Sequence, residues 1–281
     1  MRYVHWARTR IRRLLIILLA IITYFLLLIV DALRYFPQFV SSNSSHWLPW
    51  MRFGFSAFVA LLFLAVGTLV WLYARDRRVA SLLFSFSFTM MVAFVVQTGA
   101  NLGDSLLSVV GGISSILSLF QLFVLLLLFP KNYFSLPLRS NLQENGGNSP
   151  SAHFQDYYSF AVRRYLVILA FLAIIGMVRT IFYFVLPLQI LNILNIFVYT
   201  YVMLALVGIL ITIIVSYRQS SSLRERQQVR IFTSGVILTV VPLLLLTVLP
   251  QALRLPSQYI VDPQLSTLTL CLLPLALGYT I

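Results

Sequence analysis

Charged side chains are scarce in this sequence. Of its 281 residues, 10% are charged and 60% are hydrophobic, whereas about a quarter of the residues of a water-soluble domain are charged. This balance excludes a soluble fold. Seven residues are acidic against 20 basic ones. The basic residues cluster at the ends of long apolar runs, where they set membrane topology and meet lipid headgroups, so nucleic acid is not an expected partner.

Cysteine and catalytic motifs are equally scarce. The one cysteine, Cys271, lies in an apolar run, which excludes an intrachain disulfide and a cysteine metal cluster. The acidic residues and the histidines all fall in predicted loops or at predicted helix ends, and no HExxH, GxSxG or Gly-rich phosphate loop occurs. We therefore expect no catalytic residue, no metal and no cofactor in this chain.

The sequence has eight long apolar runs instead. A helix needs about 20 apolar residues to cross a hydrocarbon core of about 30 Å, and no other open structure satisfies its own backbone there. The sequence therefore predicts one all-α domain over 1–281, an integral membrane bundle of about eight transmembrane helices. The predicted helices cover 14–30, 53–73, 80–97, 106–129, 165–186, 188–217, 231–249 and 265–281.

The basic residues also predict the orientation of the bundle, because cytoplasmic loops of membrane proteins are enriched in Lys and Arg. With the N-terminus inside, sixteen of the 20 basic residues fall in inner segments, and only Arg34, Arg52 and Arg254 fall in outer ones. Arg179 alone lies within a predicted helix. Both termini are therefore expected in the cytoplasm of a multi-pass protein of the cell inner or plasma membrane, with the first helix a retained signal anchor.

Three segments outside or at the end of these helices bear on the organisation. Residues 31–51 are expected to form an outer loop, whose aromatic residues suit the headgroup level. Residues 141–151, NLQENGGNSPS, are expected to form a flexible cytoplasmic linker. The last run is still apolar at Ile281, so the chain is expected to be a fragment of a longer protein.

Polar residues in or beside the predicted helices form a candidate ligand site. Arg179 lies about six residues from the outer end of its helix, where a long side chain can reach polar groups near the membrane surface. The expected site residues are Arg179, Asn192, Asn195, Gln97, Asn101 and Asp104. Two interpretations stay open: an outward-facing pocket for a small or lipidic signal, and a buried structural network in which Arg179 pairs with Asp104.

Two further patterns concern helix packing. A stripe of small residues in the fourth predicted helix indicates close packing within the bundle, or alternatively a dimer face. It consists of Ser108, Gly111, Ser115 and Ser118. Pro242 and Pro274 lie inside the last two predicted helices, where proline removes a backbone hydrogen bond and kinks the helix. They are hinge candidates, although such kinks are common in membrane helices.

Three segments, taken in order, resemble a known family. VWLYARDRRVASLLFSFSF at 70–88 resembles its arginine-rich turn before an apolar helix, and LFVLLLLFPKNYF at 122–134 resembles a helix that closes in "FP+" before a cytoplasmic loop. LRERQQVRIFTSGVILTVVPLLLL at 223–246, followed by LLPLALGYTI at 272–281, resembles the last two helices. Together they resemble the polytopic N-terminal input regions of bacterial sensor histidine kinases of the competence and quorum-sensing kind.

This resemblance implies a function and partners. The chain would be the signal-sensing input domain of a two-component sensor kinase, acting as a homodimer in the lipid bilayer and relaying a signal to a cytoplasmic histidine kinase module and a response regulator. The kinase domains are absent, and the family's catalytic residues match no position of this chain. Phe232 departs conservatively from the tryptophan often found there. The alternatives are a transporter or permease subunit and a structural membrane assembly protein.

Overall fold

The computed structural model describes residues 2–41, 47–74, 77–96, 104–128, 150–219, 223–243 and 272–280. These segments hold eight helices, and no strand occurs within them. The helices are α1 Arg2–Ser41, α2 Trp47–Tyr73, α3 Arg77–Val95, α4 Ser105–Leu128, α5 Pro150–Ile181, α6 Leu188–Gln219, α7 Leu223–Leu243 and α8 Leu272–Thr280. The prediction of an all-α protein is confirmed for the described part of the chain.

Six of these helices are long and apolar enough to cross a membrane. Their spanning segments are Ile11–Leu33, Phe53–Tyr73, Arg77–Val95, Ser105–Leu128, Val162–Ile181 and Leu188–Val215. In α7 the apolar stretch is the shorter Val229–Thr239, and the described part of α8 has 9 residues. The chain is therefore a multi-pass membrane protein with six spans of sufficient length among its described residues.

The first predicted outer loop is mostly helical. α1 continues to Ser41 and α2 begins at Trp47, so only a few residues of the predicted loop at 31–51 lie between them. The prediction took the end of the apolar run as the end of the helix. A helix ends where its backbone hydrogen bonds end, and polar residues such as Asp and Arg can continue it beyond the apolar segment.

The bounds of α5 differ from the prediction at both ends. It begins at Pro150, inside the predicted linker 141–151, of which 141–149 lie outside the described residues. Proline suits the first turn, where its missing N–H would have no partner within the helix. At the other end α5 stops at Ile181 instead of residue 186, and residues 182–186 form turns in which the Val185 N–H donates to the Phe182 carbonyl at 3.0 Å.

The chain divides into two compact units. Unit 1 comprises Met1–Ser118 and Ile231–Ile281, and unit 2 comprises Leu119–Arg230. In unit 1, α3 packs against α1 and α2, and α8 packs against α2. The Phe63 ring of α2 lies at the centre of this packing, 5.9 Å from the Phe86 ring and 5.8 Å from the Phe94 ring of α3.

Small residues bring the helices of unit 1 close together. A Cβ added to Gly67 of α2 would lie 2.5 Å from the Ser87 Cβ of α3, and one added to Gly235 of α7 would overlap the Ala276 Cβ of α8. Only glycine allows backbones to approach this closely. Both crossings are therefore fixed by the absence of a side chain.

The small-residue stripe of α4 is rotated from its predicted position. Gly111 and Ser118 are buried as expected, and a Cβ added to Gly111 would lie 3.0 Å from the Val96 side chain. Ser115, however, is exposed, and Ser114 is buried instead. Residues three and four positions away from Gly111 lie on opposite sides of it, and spacing alone does not say which side meets the neighbouring helix.

In unit 2, α5 and α6 form a helical hairpin. The Tyr165 hydroxyl of α5 donates a hydrogen bond to the Leu204 carbonyl of α6, and the Tyr165 ring lies 5.5 Å from the Phe123 ring of α4. Gly208 makes room for both rings, because a Cβ there would lie 2.7 Å from Phe123 and 2.8 Å from Tyr165. The hairpin is thus held by aromatic side chains seated over a glycine.

Candidate functional site

Arg179 is the charged residue nearest the end of the α5–α6 hairpin. It lies in the spanning segment Val162–Ile181, two residues before α5 ends. Its guanidinium carbon is 5.0 Å from the centre of the Tyr183 ring, in the turn that follows. The Arg179 Nε is buried and has no hydrogen-bond partner among the described residues. The helix end therefore places this cation against an aromatic ring in the turn between α5 and α6.

This arrangement can bind an anion. A cation over an aromatic ring gains about 0.5–2 kcal/mol, which holds the guanidinium in place. A buried N–H without an acceptor costs about 1–3 kcal/mol, so an incoming acceptor is favoured there. The guanidinium fork matches the two oxygens of a carboxylate or a phosphate. The Arg179 site is thus suited chemically to an anionic group.

Exposed apolar side chains follow Arg179 in the hairpin tip, which we define as residues 182–188. Tyr183 is 45% exposed, Val185 77% and Leu188 74%. Exposed apolar patches usually meet a lipid, a partner or an apolar ligand. An anionic ligand with an apolar part would therefore find both of its contacts on this surface.

The two asparagines of the predicted site lie on α6 in the same unit. Asn192 is exposed and Asn195 is partly buried, beside the buried Leu191. Within the described part of unit 2, neither amide forms a hydrogen bond with Arg179. The asparagines share the hairpin with Arg179 but do not form a closed polar network with it.

Asp104 has a structural role that the sequence analysis missed. Its Oδ1 accepts hydrogen bonds from the backbone N–H groups of Leu106 at 3.0 Å and Leu107 at 3.1 Å, which makes it the N-cap of α4. An Asp directly before an apolar helical run is a recognisable start signal. Asp104 belongs to unit 1 and Arg179 to unit 2, and the pairing of the two stays a prediction.

The remaining predicted site residues can be placed only in part. Gln97 and Asn101 lie outside the described residues. Pro242 lies within α7, one residue before its described end, and Pro274 is a buried residue in the first turn of the described α8. Their role as hinges stays a prediction.

Asp31 is a candidate that sequence reasoning placed wrongly in a loop. It lies in α1, within the spanning segment Ile11–Leu33, and its side chain is 0% exposed. Tyr24, two turns earlier, is buried too, and its hydroxyl donates to the Ala57 carbonyl of α2 at 3.1 Å. Ile17, Tyr24 and Asp31 recur every seven residues, a spacing that puts them on one helix face. That spacing could have identified Asp31 as buried.

The described residues contain no cluster of three His, Cys, Asp or Glu side chains that could hold a metal ion. No protein-family model, curated protein or solved structure matches the chain.

Helices α7 and α8 contact each other. α7 buries Val229, Phe232, Val236 and Thr239 on one face. Gly235, on the adjoining part of that face, lies against Ala276 of α8.

Proposed function

We propose that this chain is the membrane-embedded signal-sensing input region of a two-component sensor histidine kinase. In this proposal it has eight transmembrane helices, both termini are cytoplasmic, and the signal passes to a cytoplasmic kinase module. The observation that carries the proposal is the contact between Gly235 of α7 and Ala276 of α8. It couples the two helices through which an input region of this kind would send its output.

The contact couples the helices mechanically. With no side chain on Gly235, the α7 backbone rests on the Ala276 side chain, and α8 also packs against α2. Packed interfaces shift between discrete arrangements and do not deform continuously, so a small rotation of α7 displaces α8 as a unit. Pro242, near the described end of α7, is the proposed hinge for this movement.

Arg179 and the hairpin tip are the proposed signal-binding surface. The guanidinium receives the anionic group of the signal, and the exposed side chains of Tyr183, Val185 and Leu188 receive its apolar part. A signal can shift the equilibrium between two arrangements only if it binds one of them better. The proposed signal is therefore a small or lipidic amphiphile with a carboxylate or phosphate group.

Phosphorylation in native membranes tests the relay. The protein encoded at the native locus, with any kinase module it adjoins, is assayed for transfer of labelled phosphate from ATP to histidine. Gly235→Leu, which forces α7 from α8, is expected to change the basal rate severalfold. Gly54→Leu is the control, because a Cβ at Gly54 of α2 meets nothing within 4 Å. A locus without any kinase module, attached or as a partner, contradicts the proposal.

The signal-binding surface has its own test. Kinase output is titrated with medium conditioned by the source cells, in wild type and in Arg179→Ala, Arg179→Lys and Asn192→Ala. Arg179→Ala is expected to shift the half-maximal dose at least tenfold, and Arg179→Lys less, because it keeps the charge but loses the planar fork. Unchanged curves for Arg179→Ala and Asn192→Ala would exclude the hairpin as the binding surface.

A transporter or permease subunit is the second candidate, and the buried Asp31 favours it. Transporters carry ionisable residues within their spans to bind coupling ions or protons. Asp31 adds a fully buried carboxylate inside a spanning segment. Uptake of candidate solutes into vesicles under a proton gradient, abolished by Asp31→Asn, would support transport over signalling. Absence of gradient-driven uptake for all solutes tested would leave signalling as the better explanation.

A further inference from the structure

Three helices of unit 1 meet at one tryptophan. The Arg13 guanidinium carbon of α1 lies 5.8 Å from the centre of the Trp71 ring of α2. Trp71 stacks on Phe84 of α3 with ring centres 4.6 Å apart, and its indole N–H donates to the Ser81 Oγ at 3.2 Å. Arg13 of α1, the end of α2 and the first turns of α3 are therefore at the same level around Trp71.

Four arginines lie at this level, and we call them the arginine cluster. They are Arg12, Arg13, Arg77 and Arg78. Arg77 and Arg78 begin α3 one helical turn before Ser81, about 5 Å along the axis. Arg12, Arg77 and Arg78 are exposed, while Arg13 is half-buried against the indole. The cluster is thus open to solvent and partly preoriented by Trp71.

The charge around the cluster is strongly positive. Residues 1–13 and 74–78 contain eight arginines and one acidic residue, Asp76. An anion is therefore the complementary ligand. Arginine forks bind phosphate oxygens in pairs, with more directional hydrogen bonds than lysine provides.

Exposed apolar side chains lie close in sequence to the cluster, on α1 and at the end of α2. Ile11 is 62% exposed, Leu15 61% and Tyr73 83%. Tryptophan and tyrosine favour the headgroup level of a bilayer, where one end of the ring is apolar and the other is wet. A free phosphate ion would use the arginines and leave this apolar surface uncovered, whereas a phospholipid would use both.

We propose that the arginine cluster is a binding site for the headgroup of one anionic phospholipid. The phosphate diester binds between Arg13 and the arginines at the start of α3, and the acyl chains lie along the exposed apolar side chains of α1. The site is a defined one-lipid site, as distinct from the diffuse attraction of any basic helix end to a charged membrane. It does not depend on the proposed signalling function.

Native mass spectrometry of the full chain in mild detergent tests the site with phosphatidylglycerol and phosphatidylcholine as probes. The cluster variant replaces all four arginines of the cluster by Gln. The control variant carries Arg163→Gln, Arg164→Gln, Arg218→Gln and Arg226→Gln, which removes the same charge from exposed positions of unit 2. Wild type is expected to retain one phosphatidylglycerol in preference to phosphatidylcholine.

The two variants distinguish a site from diffuse attraction. An arginine near a membrane surface contributes about fivefold in affinity for anionic lipid, so the cluster variant should bind phosphatidylglycerol at least tenfold more weakly. The control variant should stay within twofold of wild type. An equal loss in both variants overturns the proposal, because the attraction would then follow net charge alone.

Two measurements on the wild-type protein complete the test. Millimolar inorganic phosphate should not displace the retained phosphatidylglycerol; complete displacement would mean that the site binds free phosphate and overturn the lipid assignment. If the cluster variant does not fold, photoactivatable phosphatidylglycerol is crosslinked to wild type. Labelled peptides concentrated at 11–15 and 71–78 support the site, and labelling spread evenly over all helices overturns it.

Discussion

The α2–α3 pair of unit 1 and the α5–α6 hairpin of unit 2 differ in how much of each helix the protein itself covers. Of an 18-residue window of each span, 39% of the residues are buried in α2 and 56% in α3, against 28% in α5 and 33% in α6. Unit 1 is packed through close helix crossings at Gly67 and Gly235, whereas the α5–α6 hairpin is held by Tyr165 and Phe123 over Gly208. Where two helix backbones touch, the distance and angle between the helices are fixed. Where aromatic rings fill the space between two helices, that distance and angle can adjust. The α5–α6 hairpin therefore has a more adaptable packing than the α2–α3 pair.

Gly67→Ala should have the largest effect on stability. The added methyl group would lie 2.5 Å from the Ser87 Cβ, so α2 and α3 must separate, and overpacking of this kind costs about 1–3 kcal/mol. The free energy of unfolding is measured by titration with SDS in mixed micelles. Gly54→Ala in the same helix is the matched control and should be neutral or slightly stabilising, because its methyl group meets nothing within 4 Å. Equal losses would show that α2 and α3 are not closely packed at Gly67.

Gly208→Ala should cost less, about 1 kcal/mol, although it is also crowded. The atoms that its methyl group would meet are the far ends of the Phe123 and Tyr165 rings, which can rotate away. The same titration measures the effect. In a Tyr165→Leu background the penalty should become smaller, because only the contact with Phe123 remains. If Gly208→Ala cost more than Gly67→Ala, the packing at Gly208 in unit 2 would be the more rigid of the two.

Asp104→Ala should destabilise the protein by about 1 kcal/mol through loss of the α4 N-cap. Asp104→Asn should cost only a few tenths of a kcal/mol, because an amide oxygen caps nearly as well. Unfolding of both variants is compared under one set of detergent conditions. An equal cost for Asn and Ala would mean that the negative charge itself matters, and a double-mutant cycle with Arg179→Gln would then test the predicted pair.

Tyr165→Phe should cost less than the two glycine substitutions and Asp104→Ala, about 0.6 kcal/mol, the average for a hydrogen bond between membrane helices. Tyr24→Phe is the counterpart in unit 1, where the hydroxyl donates to the Ala57 carbonyl. Because each change removes one hydroxyl and keeps the ring, the two costs should agree within a few tenths of a kcal/mol. A much larger cost for Tyr165 would show that the hydroxyl, and not the ring, holds the hairpin.

The sequence was sufficient to find the long spans, because hydropathy reports directly where a helix can exclude water. The second span, predicted at 53–73, is observed at Phe53–Tyr73. Hydropathy does not report where the helical hydrogen bonds end, which is why α1 continues through Asp31 to Ser41 against expectation. Nor does it report which side of a uniformly apolar helix meets a neighbour, so the contact of Gly67 with Ser87 could not be predicted.

The candidate site, like the helices, could be predicted from the sequence only in part. Arg179 could be identified from sequence because a lone charge inside an apolar run is conspicuous. Its contact with Tyr183 could not be, because the prediction continued α5 through residue 186. Asp104 was recognised as polar and placed beside a helix, but its hydrogen bonds to the start of α4 give it a structural task.

The crossing of α2 and α3 at Gly67 also bears on how the protein enters the bilayer. α3 is the least apolar of the six spans and includes Ser81, Ser85 and Ser87. Alone in lipid, the Ser87 hydroxyl would face hydrocarbon, but against Gly67 it is covered by the α2 backbone. Few residues separate the two helices, so they emerge from the ribosome in quick succession and can pair during synthesis. The surface of α2, in place of lipid, is therefore the environment that Ser87 of α3 meets in the bilayer.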